Sequence, residues 1–378
     1  LNLAPAPASV HAAELEGGVV RVELADGGSV ELHRFALRDA CPCPSCRHPL
    51  SAQRLFESSE VLPAARVSAV ALGPDGLRID WADGHVSLFP FDWLEAEAQA
   101  QHRGARPRRP LTFWGAELVG RLPAADYDEV VGEQDAFVAW LAAVAELGFA
   151  LLRGVPREEG AVAAVAELFS PVRTTNYGRV FDVSVRVGAT NLADSAGALS
   201  LHTDNPYRQP APTLQLLECL SASLAGGETV LVDGFRAVAL LGEFAPDKLA
   251  TLARQAIRYR YADAGAEFFA DVPVVSLDLD GEPLSLQVNN RSKGVPVGAP
   301  ELVARWYEAY FALLALLERR DAQLSFRLEP GELLVLDNRR VLHGRRAFAD
   351  HGERRLQGCY ADRDALLSTL ACATRSAA

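Results

Sequence analysis

His202, Asp204 and His343 constrain this chain more than any other feature. A His-x-Asp pair in an extended segment puts both side chains on one face, because strand side chains alternate with period two. A histidine from far along the chain then completes a face of two imidazoles and one carboxylate around a metal. That ligand set leaves three coordination positions open and suits non-haem Fe(II) that activates oxygen. A short His-x-Asp motif arises often by chance, so its surroundings carry the weight. Asn205-Pro206-Tyr207 ends the strand abruptly and places the pair near a strand mouth. His343 follows the apolar run 333–336 and the turn residues Asp337-Asn338, and Gly344 follows it. In the return strand Arg354, Leu356, Gly358 and Tyr360 share one face by alternation, while Arg355 and Cys359 face the other way. Arg354 and Tyr360 therefore point into the same space, and an arginine there suits the far carboxylate of a diacid co-substrate.

Short strand-like segments dominate around these residues: 149–152, 213–217, 229–232, 274–279, 284–288, 333–337 and 356–361. Helices are expected over 133–148, where Phe137, Trp140, Leu141, Val144 and Leu147 form one stripe, and over 160–169 and 300–319. Many short strands with Gly and Pro turns predict a mainly β domain, a double-stranded β-helix (jelly roll) with helices packed outside. At 378 residues the chain exceeds one ordinary core, so a second, smaller domain is expected. Hairpins over 19–33 and 77–89, turning at Asp26-Gly27-Gly28 and Asp83-Gly84, and a strand over 66–72 make the front of the chain a small β-rich module. The polar stretch 95–110 reads as the boundary, giving an N-terminal zinc-binding module at 1–100 and the larger domain at 101–378.

The zinc reading comes from Cys41-x-Cys43-x2-Cys46, three of the chain's six cysteines in one short loop. They stand too close together for an ordinary disulfide framework. With His85 they make a closed tetrahedral set, which is structural rather than catalytic. His48 competes as fourth ligand, but a distant ligand ties a small module together and contributes to its folding. A net charge of -12 argues against a general nucleic-acid binder, and no apolar stretch of membrane-spanning length exists. Residues 1–10 lack a signal-peptide core, so a cytoplasmic protein acting on a small molecule is expected, without nucleic acid or membrane partners.

Leu201-His-Thr-Asp-Asn-Pro-Tyr207, Leu214-Gln-Leu-Leu217, Val232-Asp-Gly-Phe235, Asp337-Asn338 with Leu342-His-Gly-Arg-Arg346, and Gly358-Cys-Tyr-Ala-Asp362 carry a resemblance. The second domain resembles the iron(II)- and 2-oxoglutarate-dependent dioxygenases of the taurine dioxygenase superfamily. Within it, the whole chain is similar to the γ-butyrobetaine hydroxylase group, which includes trimethyllysine dioxygenases and carries an N-terminal zinc module. The resemblance implies that His202, Asp204 and His343 hold Fe(II), that Arg354 pairs with the far carboxylate of 2-oxoglutarate near Leu217, that O2 is the oxidant, and that the protein is a homodimer. Tyr177 and Tyr360 fall at positions of its aromatic cage for a trimethylammonium group. Phe181 stands where a tryptophan is usual, and Asp194 where a tyrosine is usual. Asn191 and Asn290 are implied for the substrate's acidic end, and Arg291 follows directly.

Phenylalanine keeps a weaker π face, and an aspartate still favours a cation. Arg291, if it faces the pocket, suits a dianionic group better than a carboxylate. The expected activity is hydroxylation of a small zwitterion, cationic at one end and acidic at the other: γ-butyrobetaine or a phosphonate analogue such as 2-(trimethylammonio)ethylphosphonate. A trimethyllysine-type hydroxylase, a non-catalytic binding or sensor protein on the same fold, and a zinc hydrolase using the same ligands compete with it. Arg345, Arg346 and Arg355 read as surface residues, Trp114 and Tyr207 as core or rim, and Glu218 has no assigned role.

Overall fold

The computed structural model describes residues 10–24, 28–103, 111–184, 197–222, 226–348 and 354–376. The chain divides into two compact units, Leu1–Pro110 and Leu111–Ala378.

In the first unit, β1 (Val10–Glu16), β2 (Val19–Leu24) and β3 (Ser29–His33) form one antiparallel sheet, and β4 (Val67–Gly73), β5 (Gly76–Trp81) and β6 (Val86–Phe89) form another. Alternation decides the core: Val20, Val22, Val30 and Leu32 turn inward and pack with Leu77, Ile79, Trp81 and Phe89. Residues 95–103, expected as a polar boundary, instead belong to a helix, Phe91–Arg103. Its apolar stripe is only Phe91, Leu94 and Ala98, spaced three and four apart, with Trp93 beside it. Leu94 is fully buried while the polar remainder covers the outside, so composition over that window hid the helix.

In the second unit two sheets face each other. The larger runs β7-β8-β18-β11-β20-β9, from β7 (Ala124–Asp126), β8 (Phe149–Arg153), β9 (Phe181–Ser184), β11 (Leu214–Ala222), β18 (Glu332–Asp337) and β20 (Arg354–Ala361). The smaller runs β10-β19-β12-β17, from β10 (Leu199–His202), β12 (Thr229–Asp233), β17 (Gln323–Phe326) and β19 (Val341–Arg345). The chain passes between sheets at β9, β10, β11 and β12, and again at β17, β18, β19 and β20. That order is the double-stranded β-helix. Leu231 and Leu324 of the smaller sheet meet Cys219, Leu334, Leu336 and Leu356 of the larger between the two layers. The outer face of the larger sheet buries Leu216, Leu333, Val335 and Cys359 under helices Gln134–Leu147, Ala161–Glu167 and Arg363–Ser376. Because β18 is buried on both faces, it reads as an unbroken apolar run rather than an alternating one.

Between β12 and β17 lie helices Gly234–Phe244, Pro246–Arg254 and Pro300–Leu317 and the hairpins β13 (Ala256–Ala262) with β14 (Glu267–Pro273) and β15 (Val275–Leu277) with β16 (Pro283–Leu286). The first two helices and the β13–β14 hairpin were not expected. Asp233 caps the first of these helices, accepting from the backbone of Phe235 and Arg236. Gly234 has no room for a side chain: a Cβ would lie 2.6 Å from the Arg340 carbonyl oxygen. Among the described residues no helix is long and apolar enough to cross a membrane.

Candidate metal centres

In the first unit the three thiols converge on one imidazole. His85 Nε2 lies 3.2 Å from Cys41 Sγ and 3.6 Å from both Cys43 Sγ and Cys46 Sγ. Ligands at zinc distances in a tetrahedron stand about 3.6 Å apart, so the set fits zinc. His85 is delivered by the turn between β5 and β6, where its backbone N–H donates to Asp83 Oδ1. Burial, then the Arg38 charge, lowers the His85 pKa and keeps the ring neutral, the form that ligates. Burial pushes the Cys46 thiol up to about 11, opposed by Arg38, which donates to its sulfur at 3.2 Å. A bound cation overrides such a shift by taking the thiolate. His48 turns elsewhere: its Nδ1 accepts from the backbone N–H of Leu50 and Ser51.

In the second unit β10 and β19 pair with His202 opposite His343, and the ring centroids are 4.2 Å apart. The ligand atoms of His202, Asp204 and His343 all lie within 4.8 Å of one another. His202 Nδ1–H donates to the Ser200 carbonyl at 2.9 Å, which leaves Nε2 as the free lone pair, 3.4 Å from Asp204 Oδ1. The Nδ1 of His343 is buried with no hydrogen-bond partner. Burial, then the neighbouring His202, pushes His343 down to about 3, so its ring is neutral. Burial would raise the Asp204 carboxyl, but its hydrogen bonds and the two facing imidazoles hold it well below the usual carboxylate range. Two imidazoles and one carboxylate, with a buried His343 nitrogen left without a hydrogen-bond partner, fit the donor set of a 2-His-1-carboxylate metal face.

The backbone after the strand is held from several sides. Asn338 accepts from the Asp204 N–H and donates to the Asp204 and Pro212 carbonyls. Thr203 donates its N–H to the Val288 carbonyl, and Asn289 donates to the Thr203 carbonyl. Asn205 sits at φ 53°, and its side chain accepts from the Tyr207 hydroxyl at 2.6 Å. Gln215 Nε2 and the Tyr360 hydroxyl both donate to Asp204 Oδ2, at 2.6 and 2.8 Å. Gln215 and Asn338 lay in quoted motifs but were assigned no role. Parity places Gln215 on the inner face of β11, yet only cross-sheet register shows which atom it meets.

Beside Tyr360 an aromatic wall continues. Phe181 lies 5.1 Å from Tyr360 and 6.2 Å from Tyr177, centroid to centroid. Gly358 makes room, since a Cβ there would be 2.6 Å from the Phe181 ring and 3.0 Å from Leu217. Tyr177, Tyr207 and Tyr261 extend the cluster, and the hydroxyls of Tyr177 and Tyr207 are 3.0 Å apart. Tyr261, on the unexpected hairpin, was missed. Tyr207 is buried in the outer core as well as bonded to Asn205.

Arg354 opens β20 on its inner face and is buried, with no carboxylate pairing it among the described residues. Its guanidinium lies over the Phe348 ring at 5.4 Å. Arg345 is buried too, contrary to the surface position expected, and covers the same ring at 4.4 Å. It alternates inward with His343 on β19, and it donates to the Gly197 carbonyl. Arg355 does reach the surface, paired with Asp182 and Glu159. Arg291 is exposed, and its charge contributes to lowering the His343 pKa. Asn290 is exposed and accepts from the Tyr310 hydroxyl at 3.3 Å. Asn191 and Asp194 lie outside the described residues.

Comparison with known proteins adds two family matches. Residues 107–360 match the taurine catabolism dioxygenase TauD, TfdA family. Residues 12–95 match the gamma-butyrobetaine hydroxylase-like N-terminal family. Gamma-butyrobetaine dioxygenase of Pseudomonas sp. (strain AK-1) is 35% identical over 358 residues, covering 93% of this chain and 92% of that protein. The human gamma-butyrobetaine dioxygenase is 29% identical, covering 88% and 89%. A mitochondrial trimethyllysine dioxygenase of Gallus gallus is 30% identical, covering 96% and 88%.

Proposed function

We propose that this chain, which belongs to the taurine catabolism dioxygenase TauD, TfdA family, hydroxylates a small zwitterion with a quaternary ammonium at one end and an acidic group at the other. The observation that carries the substrate reading is the aromatic wall of Tyr177, Phe181 and Tyr360, whose last member touches Asp204. A methylated ammonium lying over such rings is attracted by their π faces, and it sits next to the metal face.

His202, Asp204 and His343 would hold iron(II), and the buried guanidinium of Arg354, which no carboxylate pairs among the described residues, would take the far carboxylate of 2-oxoglutarate, with Leu217 alongside. Bound iron and 2-oxoglutarate supply the oxidation: substrate C–H, 2-oxoglutarate and O2 become substrate C–OH, succinate and CO2. The chain's own part is to position the ligands and to keep the His343 imidazole neutral. Arg291 and Asn290, by their place beside Asn289, are assigned to the acidic end, with Asn191 and Asp194 carried over by resemblance alone. The resemblance to gamma-butyrobetaine dioxygenases favours a carboxylate there, and the free charge of Arg291 favours a phosphonate. A trimethyllysine-type substrate is the second reading, since trimethyllysine dioxygenases match nearly as well.

The test is oxygen-dependent succinate release over γ-butyrobetaine, trimethyllysine, and trimethylated and unmethylated aminoethylphosphonates. Turnover of a trimethylammonium zwitterion is expected, with Arg291→Ala hurting the phosphonate more than the carboxylate. Arg354→Met should raise the KM for 2-oxoglutarate roughly tenfold to a hundredfold. Tight zwitterion binding without any decarboxylation under iron and ascorbate would establish the binding protein instead, and hydrolysis surviving without oxygen would establish a zinc hydrolase.

A further inference from the structure

The geometry points to Tyr360 as a positioning residue that joins the substrate wall to the metal face, by holding Asp204 to coordination through one oxygen. This rests on the iron reading above. Gln215 and Tyr360 stand directly opposite each other in the β11–β20 register, so their side chains leave the sheet on the same face and converge. Both donate to the same atom, Asp204 Oδ2, at 2.6 and 2.8 Å. A carboxylate oxygen offers about two lone-pair sites, so Oδ2 is filled and Oδ1, beside His202 Nε2, is the oxygen left for a metal.

The consequence is a count of open positions. With one Asp204 oxygen bound, the 2-His-1-carboxylate face leaves three positions. A bound 2-oxo acid would take two of these, leaving one open. If Asp204 turned so that both oxygens faced the metal, that open position would be lost. The clamp on Oδ2 opposes that turn. It also makes Tyr360 a shared part: its ring packs on Phe181 in the wall that would meet the cation, and its hydroxyl restrains the metal ligand. A substrate that shifts this ring shifts a donor to Asp204, so the cation site and the open position are mechanically linked.

Tyr360→Phe keeps the ring and deletes the hydroxyl, while Gln215→Leu deletes the other donor and leaves the wall intact. Metal-free protein would be reloaded anaerobically with Fe(II), and its affinity read by equilibrium dialysis. Each variant should bind Fe(II) roughly tenfold to a hundredfold more weakly than the wild type. Each should also consume more 2-oxoglutarate per product formed. Tetramethylammonium, as a probe of the wall, should bind Tyr360→Phe within about twofold of the wild type. Folded variants that bind Fe(II) as the wild type does would overturn the clamp, as would a Tyr360→Phe that loses only tetramethylammonium binding. If Tyr360→Phe does not fold, Gln215→Leu decides alone. A wild type that itself fails to bind Fe(II) would bring down the iron reading, a result separate from failure of the clamp.

Discussion

The two candidate metal centres of this chain solve opposite problems. In the first unit three sulfurs and one imidazole surround a point, and the ligands leave no open position. Three of the four come from one short loop, so local chain geometry brings them together, and the fourth ties that loop to a hairpin. In the second unit only three ligands meet, two from paired strands far apart in sequence and Asp204 from the bend just after β10, and the rest of the shell is donors that aim them. A closed site stabilises a small core. An open one adds little to stability and depends on a large, pre-formed scaffold for its geometry. The clamp on Asp204 and the bracket of Asn338 have counterparts in the first site in the Arg38 contact to Cys46, the Arg47 contact to the Cys41 carbonyl and the Asp83 contact to the His85 backbone.

That contrast predicts different failures. Asp204→Ala should reduce oxygen-dependent succinate release below detection while leaving the melting transition of the second unit nearly unchanged. A collapse of the fold instead would mean that the face is structural. If zinc fills the first site, stripping it with a chelator, or Cys43→Ser, should cost the first unit several kcal/mol, visible as lost hydrogen-exchange protection of β2, β3 and β5. Retained protection there would show that its small core suffices alone.

Asp233→Ala should destabilise the second unit by about 3–5 kcal/mol in denaturant titration, because it strands a buried Arg340 that now bonds both carboxylate oxygens. The loss of the cap on helix Gly234–Phe244 adds to it.

Glu218 gives a smaller, pH-dependent effect. It is fully buried on the outer face of β11, and neither carboxylate oxygen has a hydrogen-bond partner. Burial pushes it up to about 7, with only the nearby Val162 amide opposing. Between the ordinary glutamate range and that value, the folded chain keeps a proton that the unfolded chain has released. Stability is therefore full in acid, falls as pH rises through this window, and levels off above it. Glu218→Gln should remove the slope, a gain of at most about 3 kcal/mol at pH 8 and none at pH 4. Parallel melting of both proteins at the two pH values checks it.

Much of the scaffold was legible because local patterns carry it. Alternation marked β2, β3, β5 and β6, the apolar run of β18 marked a strand buried on both faces, and the stripe from Phe137 to Leu147 marked a helix. The helix at Phe91–Arg103 escaped because three spaced apolar residues in a polar window look like a linker until Leu94 is seen buried. The hairpin carrying Tyr261 escaped although its first strand alternates, with Ile257 and Tyr259 buried and Arg258 and Arg260 outside.

Sequence alone determined which donor types were present and which face of each strand they could occupy, because side-chain parity is a local property of extended backbone. Only the tertiary structure decided which faces meet. It chose His85 over His48, turned Arg345 inward onto Phe348, and set Gln215 opposite Tyr360 so that two donors fall on one oxygen of Asp204. The last of these depends on register between strands more than a hundred residues apart, and a one-residue slip would reverse it without changing any local pattern.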